Sequence, residues 1–370
     1  MSLTVKHLNS DASFLLSFQP ISHFPPSPGS PSQVFTILLD PWLSGPSTIF
    51  HSIFSISRHK TEPCVSSLRE LPEPDIVVIS QDKSDHCNKA TLTQLPASGG
   101  KTIILAEPAA AKVIRGWKHF DANKVITLPK WENSKNKDSS IYRIPVPASS
   151  PAGLPGEVTI SFLAQKSDIT RLHSAIGITY RQPTGMPTFE NHPLTPPDTP
   201  RSTTTFDTVA SNRALSVIYS PHGCSYKTLV PYVTSHLVSE AALPLTALLH
   251  CFDRVNNVWW LGGNICSGFP GGLEIAQNLC ARAWISAHDG DKDTQGLATR
   301  KIVIKKYDRE EVESVISPRS EKFPNKRTGT EAVVLQPGEE IQLSQAMDFG
   351  PEENDTAGVL RERYTNLAVV

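Results

Sequence analysis

No apolar stretch in this chain approaches the roughly 18 residues that a membrane-spanning helix requires, and the amino end lacks the apolar run of a secretion signal. A soluble protein is expected. An excess of either charge is missing too: 35 Lys and Arg stand against 36 Asp and Glu, for a formal net charge of -1. Nucleic acids and anionic membranes call for a basic face, so neither is an expected partner. Cysteine is sparse, with six residues and no C-x-x-C pair, in a chain too long to need covalent staples. Reduced thiols in a cytoplasmic compartment fit best. The stretch WLGGNICSGFPGGLE holds Gly262, Gly263, Gly268, Gly271 and Gly272 but lacks the Lys-Ser/Thr of a P-loop and the spacing of a dinucleotide fingerprint. It reads as a tight loop feeding a helix.

What is present is an alternation of short strands and helices. Strand-like runs fall at residues 12–18, 35–39, 75–80, 102–105 and 124–128, and again at 158–163, 175–180, 215–220, 245–250, 283–287 and 301–305. A helix is expected over 107–117, where Pro108 suits the first turn and Ala109, Ala110 and Ala111 add propensity. A short helical segment follows at 89–95. Another helix opens at Gly271 and Gly272, with Leu273, Ala276 and Cys280 at helical spacing. Two such α/β halves predict two sheets flanked by helices.

Three stretches interrupt the pattern. Residues 19–33 are rich in Pro and Ser and cannot supply many ladder hydrogen bonds, so they read as a loop insertion. Residues 182–213 hold many Pro, Thr and Ser and few large apolar side chains; burial there could not offset the entropy of ordering, and disorder is expected. One elaborated domain then spans 1–306. Residues 307–370 read as an appended hairpin, with strands at 332–335 and 341–343 about Pro337 and Gly338, followed by a polar tail.

The functional signal lies at the strand ends. FTILLD ends at Asp40, DIVVISQDKSDH at Asp85 and His86, LSVIYSPH at His222, and ARAWISAHD at His288 and Asp289. Strand ends of one sheet share an edge, where ligands bind, and carboxylates with imidazoles recurring there point to a metal or acid/base site.

LLDPWLSGP, PDIVVISQDKSDHCNKATL, VIYSPHG and WISAHDGDK together resemble the metallo-β-lactamase superfamily, in a lactonase-like or fungal-type branch, over about residues 8–304 without the insertions. The resemblance implies a four-layer αββα sandwich of two mixed sheets. It implies Asp40 as a support of the metal loops. The superfamily's H-x-H-x-D-H motif is degenerate here: Gln81 and Lys83 stand where its first two His stand, and Asp85 and His86 complete it. A protonated Lys83 cannot coordinate, so a two-metal centre is not expected. Asp85, His86, His222 and His288 would hold one ion, zinc first, with iron or manganese compatible. The superfamily's middle His has no match after the 158–163 strand, where Gln165, Lys166 and Asp168 follow.

Each candidate has a plainer reading. Asp85 could cap the following helix, and His222 or His288 could belong to polar turns. His250 reads as a structural histidine, and Cys87 and Cys224 as small core residues. Trp259 and Trp260 could wall a pocket or fill the core. If one ion is held, hydrolysis of an ester, thioester, lactone or phosphoester of a small-molecule substrate follows, with Asp85 and Lys83 as catalytic groups, Lys83 facing an oxyanion, and Gln81 and Asp289 supporting. The alternative is a non-catalytic protein that keeps the fold as a binding or scaffold module.

Overall fold

The computed structural model describes residues 1–20, 34–49, 51–132, 137–148, 153–184, 213–317 and 329–344. Two seven-stranded sheets make its centre. In spatial order the first runs Glu340–Ser344, Ser2–His7, Phe14–Gln19, Phe35–Leu39, Ile76–Ile79, Ile103–Ala106 and Val125–Thr127. The second runs Glu331–Val333, Ala283–Ser286, Ala247–His250, Leu215–Ser220, Ser174–Arg181, Gly156–Ala164 and Tyr142–Val146. Both are mixed, and two three-stranded sheets are added at their side.

Burial follows from which faces are covered. Leu3, Val5, Phe14, Leu16, Ile37 and Val78 of the first sheet meet Ile160, Ile178, Val217, Tyr219, Leu249 and Ile285 of the second in one core. The parallel strand Ile76–Ile79 is buried at every position, as a strand covered on both sides must be. Its other face, with Val77 and Ile79, packs on Ala110, Ala111 and Ile114 of the helix Pro108–Gly116. Beyond the second sheet, Ile218, Leu248 and Trp284 pack under Leu229, Ile275, Ala276, Val312 and Ile316 from the helices Tyr226–Tyr232, Gly268–Asn278 and Arg309–Ile316. Helix, sheet, sheet, helix is the expected four-layer αββα sandwich. Each large apolar side chain buried in it contributes about 1.5 to 3 kcal/mol.

Two expectations about the chain's ends change. The first strand, Ser2–His7, has no counterpart in the sequence reading; its inward residues alternate with half-buried polar ones across a short span. The appended hairpin does not form. Glu331–Val333 pairs in parallel with Ala283–Ser286, whereas Glu340–Ser344 pairs antiparallel with Ser2–His7 in the other sheet. Pro337 and Gly338 therefore bridge the two sheets, and residues 309–317 and 329–344 extend the sandwich, because the edge strands Ala283–Ser286 and Ser2–His7 would otherwise leave their ladder groups unpaired. Most of both expected insertions, at 21–33 and 185–212, and the tail from 345 lie outside the described residues. No helix among the described residues is long and apolar enough to cross a membrane.

Candidate metal centre

Asp40 follows the strand Phe35–Leu39, His86 lies in the loop after Ile76–Ile79, His222 follows Leu215–Ser220, and His288 follows Ala283–Ser286. Parallel pairing explains why these loops leave together. Leu39 lies opposite Val78, and Ser220, His250 and Ser286 are in register across the second sheet.

The imidazoles of His86, His222 and His288 converge, one ligand nitrogen from each lying within 4.8 Å of the others. Ring centroids are 5.1 Å apart for His86 and His222, 5.0 Å for His86 and His288, and 4.3 Å for His222 and His288. Each ring is held from outside by its Nδ1. His86 donates to Asp40 Oδ2 at 2.7 Å and His222 to the Ile265 carbonyl at 3.1 Å, while His288 Nδ1 makes an ion-pair contact with Asp11 Oδ1 at 2.9 Å. A ring that donates through Nδ1 leaves Nε2 as a lone pair, the arrangement that orients imidazoles toward a metal.

The Nε2 atoms of His86 and His222 are 3.1 Å apart. Two lone pairs sit that close only with a proton or a cation between them. Tetrahedral zinc with bonds of about 2.0 to 2.1 Å places neighbouring nitrogens roughly 3.3 Å apart, so the His86 and His222 nitrogens have the spacing of two ligands of one ion. Charge points the same way. Asp11 and Asp40 are fully buried, Asp85 Oδ1 is buried without a hydrogen bond, and the Lys292 ammonium pairs with Asp11 at 2.8 Å. The centre carries excess negative charge that a dication would balance.

Asp40 anchors one side. Its carboxylate accepts from the Ser80 backbone N–H at 2.7 Å, from Ser80 Oγ and from His86, and Tyr219 OH lies 2.7 Å away. Burial, then Asp40, pushes the Tyr219 phenol far up, so it stays a neutral donor. Burial works against charge on His86, but Asp40 and Asp85 outweigh it and raise its pKa. His222 is pushed down to about 4 by burial and by His288. Burial also lowers His288, against the pull of Asp11. His288 and Asp40 both hold left-handed backbone, at φ 67° and 39°, conformations that non-glycine residues adopt at a cost.

The remaining expected residues divide. Asp85 is not among the atoms close enough to share an ion with the three imidazoles. It precedes His86 on a tight turn closed by bonds from the His86 and Cys87 N–H groups to the Lys83 carbonyl, where adjacent side chains diverge. Burial raises its carboxyl pKa, yet His86, Lys292 and His288 bring it below the ordinary value. Lys83 does not supply the centre's ammonium: its Nζ is paired with its neighbour Asp82 at 2.6 Å. Gln81 donates to the Leu172 carbonyl at 2.8 Å. Asp289 accepts from the N–H groups of Phe252 and Asp253 at 2.6 and 2.9 Å and from Ser286 Oγ at 2.6 Å, bracing a turn; burial pushes its pKa well up. His250 bonds the Cys251 carbonyl through Nδ1 at 2.7 Å and packs edge-on against Trp284. Cys87 and Cys224 are buried in the apolar clusters. Trp259 and Trp260 are 83% and 59% exposed and fill no core. Gly272 lies within the helix Gly268–Asn278, where a Cβ would meet the Trp284 ring at 2.1 Å.

Sequence reading missed Asp11, Tyr219, Lys292, His173 and Cys266. Asp11 and Lys292 flank elements that it did identify, Asp11 just ahead of the FLLSF strand and Lys292 four residues after His288 in HDGDK, but neither ends a strand. His173 spans the carbonyls of Gly223 at 2.7 Å and Asn264 at 3.0 Å, tying together the two loops that hold His222. Cys266 Sγ lies 3.5 Å from His222 Nδ1, and the Cys251 thiol, with His222 and Lys292, lowers its pKa to about 5 against burial.

Residues 36–174 match the family model described as a beta-lactamase superfamily domain. Among solved structures, the isothiocyanate hydrolase from Delia radicum gut bacteria is similar at 14% identity and a TM-score of 0.50, covering 92% of this chain and 99% of that one. The metallo-beta-lactamase fold protein YhfI from Bacillus subtilis is 13% identical at a TM-score of 0.43, over 92% and 99% of the two chains. A variant of the CmlA beta-hydroxylase is 13% identical at 0.49, over 92% of this chain and 53% of that one. No curated protein matches the sequence. Over residues 36–174 the chain thus resembles a beta-lactamase superfamily domain, and its likeness to the isothiocyanate hydrolase is one of fold. Among the described residues, the three-histidine group is where this chain could hold an ion.

Proposed function

We propose that the chain is a metal-dependent hydrolase of an ester, thioester, lactone or phosphoester, working at a single ion held by His86, His222 and His288. The observation that carries this reading is the convergence of the three rings, each with its Nδ1 turned to an oxygen outside the centre. A divalent ion there, zinc on the all-imidazole donor set with iron or manganese compatible, would supply a water acidified toward neutral pH and a Lewis acid for the substrate oxygen.

The chain's own residues do the rest. Asp40 and Asp11 fix the His86 and His288 rings and increase their basicity. Asp85, with one buried carboxylate oxygen free of hydrogen bonds and its charge coupled to His86 and His288, is our candidate to accept a proton from the attacking water. The hydrolase among the structural neighbours agrees with this class without selecting a substrate.

The test is elemental analysis of untagged protein, followed by assays on p-nitrophenyl esters, thioesters, γ-lactones and phosphodiesters. About one equivalent of zinc, iron or manganese and turnover that chelation abolishes are expected. A folded, metal-free protein that takes up no ion on titration would instead favour the binding-module reading.

A further inference from the structure

The centre contains an ammonium that no strand-end pattern announces. Lys292 opens the strand Lys292–Gln295, which pairs with Ser55–His59 and brings Lys292 opposite His59. Its Nζ lies 2.8 Å from Asp11 Oδ1 and 3.4 Å from His288 Nδ1, and the same Asp11 oxygen lies 2.9 Å from that Nδ1. Asp11 is fully buried and the Lys292 side chain is 18% exposed, so the pair is little screened by solvent. Asp85 Oδ1 is buried too, with no hydrogen-bond donor. A carboxylate oxygen in that condition depends on nearby positive charge, and the charges that act on it are those of His86, Lys292 and His288.

Gln81 bonds the Leu172 carbonyl and Lys83 pairs with its neighbour Asp82, so neither neutralises the carboxylates of the centre. We propose that Lys292 supplies the second positive charge of this centre, compensating Asp11 and Asp85 and restricting the site to one divalent ion. The inference rests on the three-histidine site of the proposed function. An ammonium paired with Asp11 and acting at longer range on Asp85 repels a second cation and occupies the Asp11 oxygen that would bind it. Removing it leaves Asp11, 2.9 Å from His288 Nδ1, with uncompensated charge and a free oxygen beside the centre, a donor that hard or borderline dications accept.

The experiment is zinc titration of the chelator-stripped full chain, with bound metal counted after gel filtration, for the wild type and for Lys292→Arg, Lys292→Met, Lys292→Ala and Lys83→Ala. Circular dichroism checks that each variant is folded. The wild type, Lys292→Arg and Lys83→Ala are expected to stop at one equivalent in several-fold excess of zinc, whereas Lys292→Ala and Lys292→Met take up a second. Two equivalents in the wild type overturn the proposal, and so does a folded Lys292→Met or Lys292→Ala that stays at one. A wild type that binds none removes the three-histidine reading itself, and this inference with it; one equivalent in all five proteins removes this inference alone. If both neutral variants fail to fold, the wild-type count in excess zinc still decides.

Discussion

His86 and His222 approach to 3.1 Å through their Nε2 atoms while Asp40 and the Ile265 carbonyl hold their opposite nitrogens. The contact joins loops from the two different sheets, so it reports on how the sandwich closes as well as on metal binding. Without an ion, a proton must lie between the rings. Metal binding should therefore release protons.

Replacing His86 or His288 with Ala should remove bound metal and any hydrolase activity while the fold survives, because the two large clusters that hold the sandwich do not include either ring. Metal content and far-ultraviolet circular dichroism measured on the same samples check this. Full retention of the ion in the double variant would rule these residues out as ligands.

Asp40→Ala is expected to cost more than any ligand substitution. It leaves the His86 Nδ1–H and the Ser80 N–H and Oγ groups, all buried, without their acceptor, and deprives Tyr219 of one of its two. Breaking a buried charged network of this kind costs about 3 to 5 kcal/mol. Asp40→Asn keeps the volume and should instead lower metal affinity by about 10- to 100-fold. Chemical denaturation and competitive chelation separate the two effects; equal stability of wild type and Asp40→Ala would show that the network contributes nothing.

Acid should act through Asp11. Its burial opposes ionisation, but His288 and Lys292 bring its folded pKa well below the ordinary value. A depressed carboxylate pKa gives stability that is complete above the unfolded value of about 3.9 and is lost as pH falls through the folded one. The metal-free wild type should lose stability below about pH 4 more steeply than Asp11→Asn, which has no proton to take up there. Parallel melting curves of the two proteins between pH 5 and pH 2.5 would contradict it.

The sandwich was readable because its strands are short apolar runs with polar ends, and runs such as residues 35–39 and 215–220 coincide with Phe35–Leu39 and Leu215–Ser220. The three imidazoles were readable for the same reason, as each follows such a run. What stayed hidden depends on register between distant segments. Lys292 reaches Asp11 across 281 positions of chain, and Lys83 looked like the functional ammonium because it occupies a motif position, although its nearest carboxylate is its own neighbour. Likewise, Pro337 and Gly338 look like a hairpin turn locally; that the flanking strands part to different sheets is decided by which edges are open.

Gly223 ties the fold to the site at one atom. It follows His222 with φ 76°, and a Cβ there would lie 1.7 Å from Ser267 Oγ and 2.6 Å from His250 Nε2. Gly223→Ala should therefore pay both the left-handed backbone and the overlap, about 1 to 2 kcal/mol for the first and 1 to 3 kcal/mol for the second. Relaxation would push on His222, whose backbone carbonyl accepts from Ser267 N–H at 2.9 Å, so metal affinity should fall with stability. Adding Ser267→Ala removes the closest atom and should recover part of the stability but not the backbone cost. If the single variant melts with the wild type and binds metal equally well, the loop does not constrain His222 in the way its geometry requires.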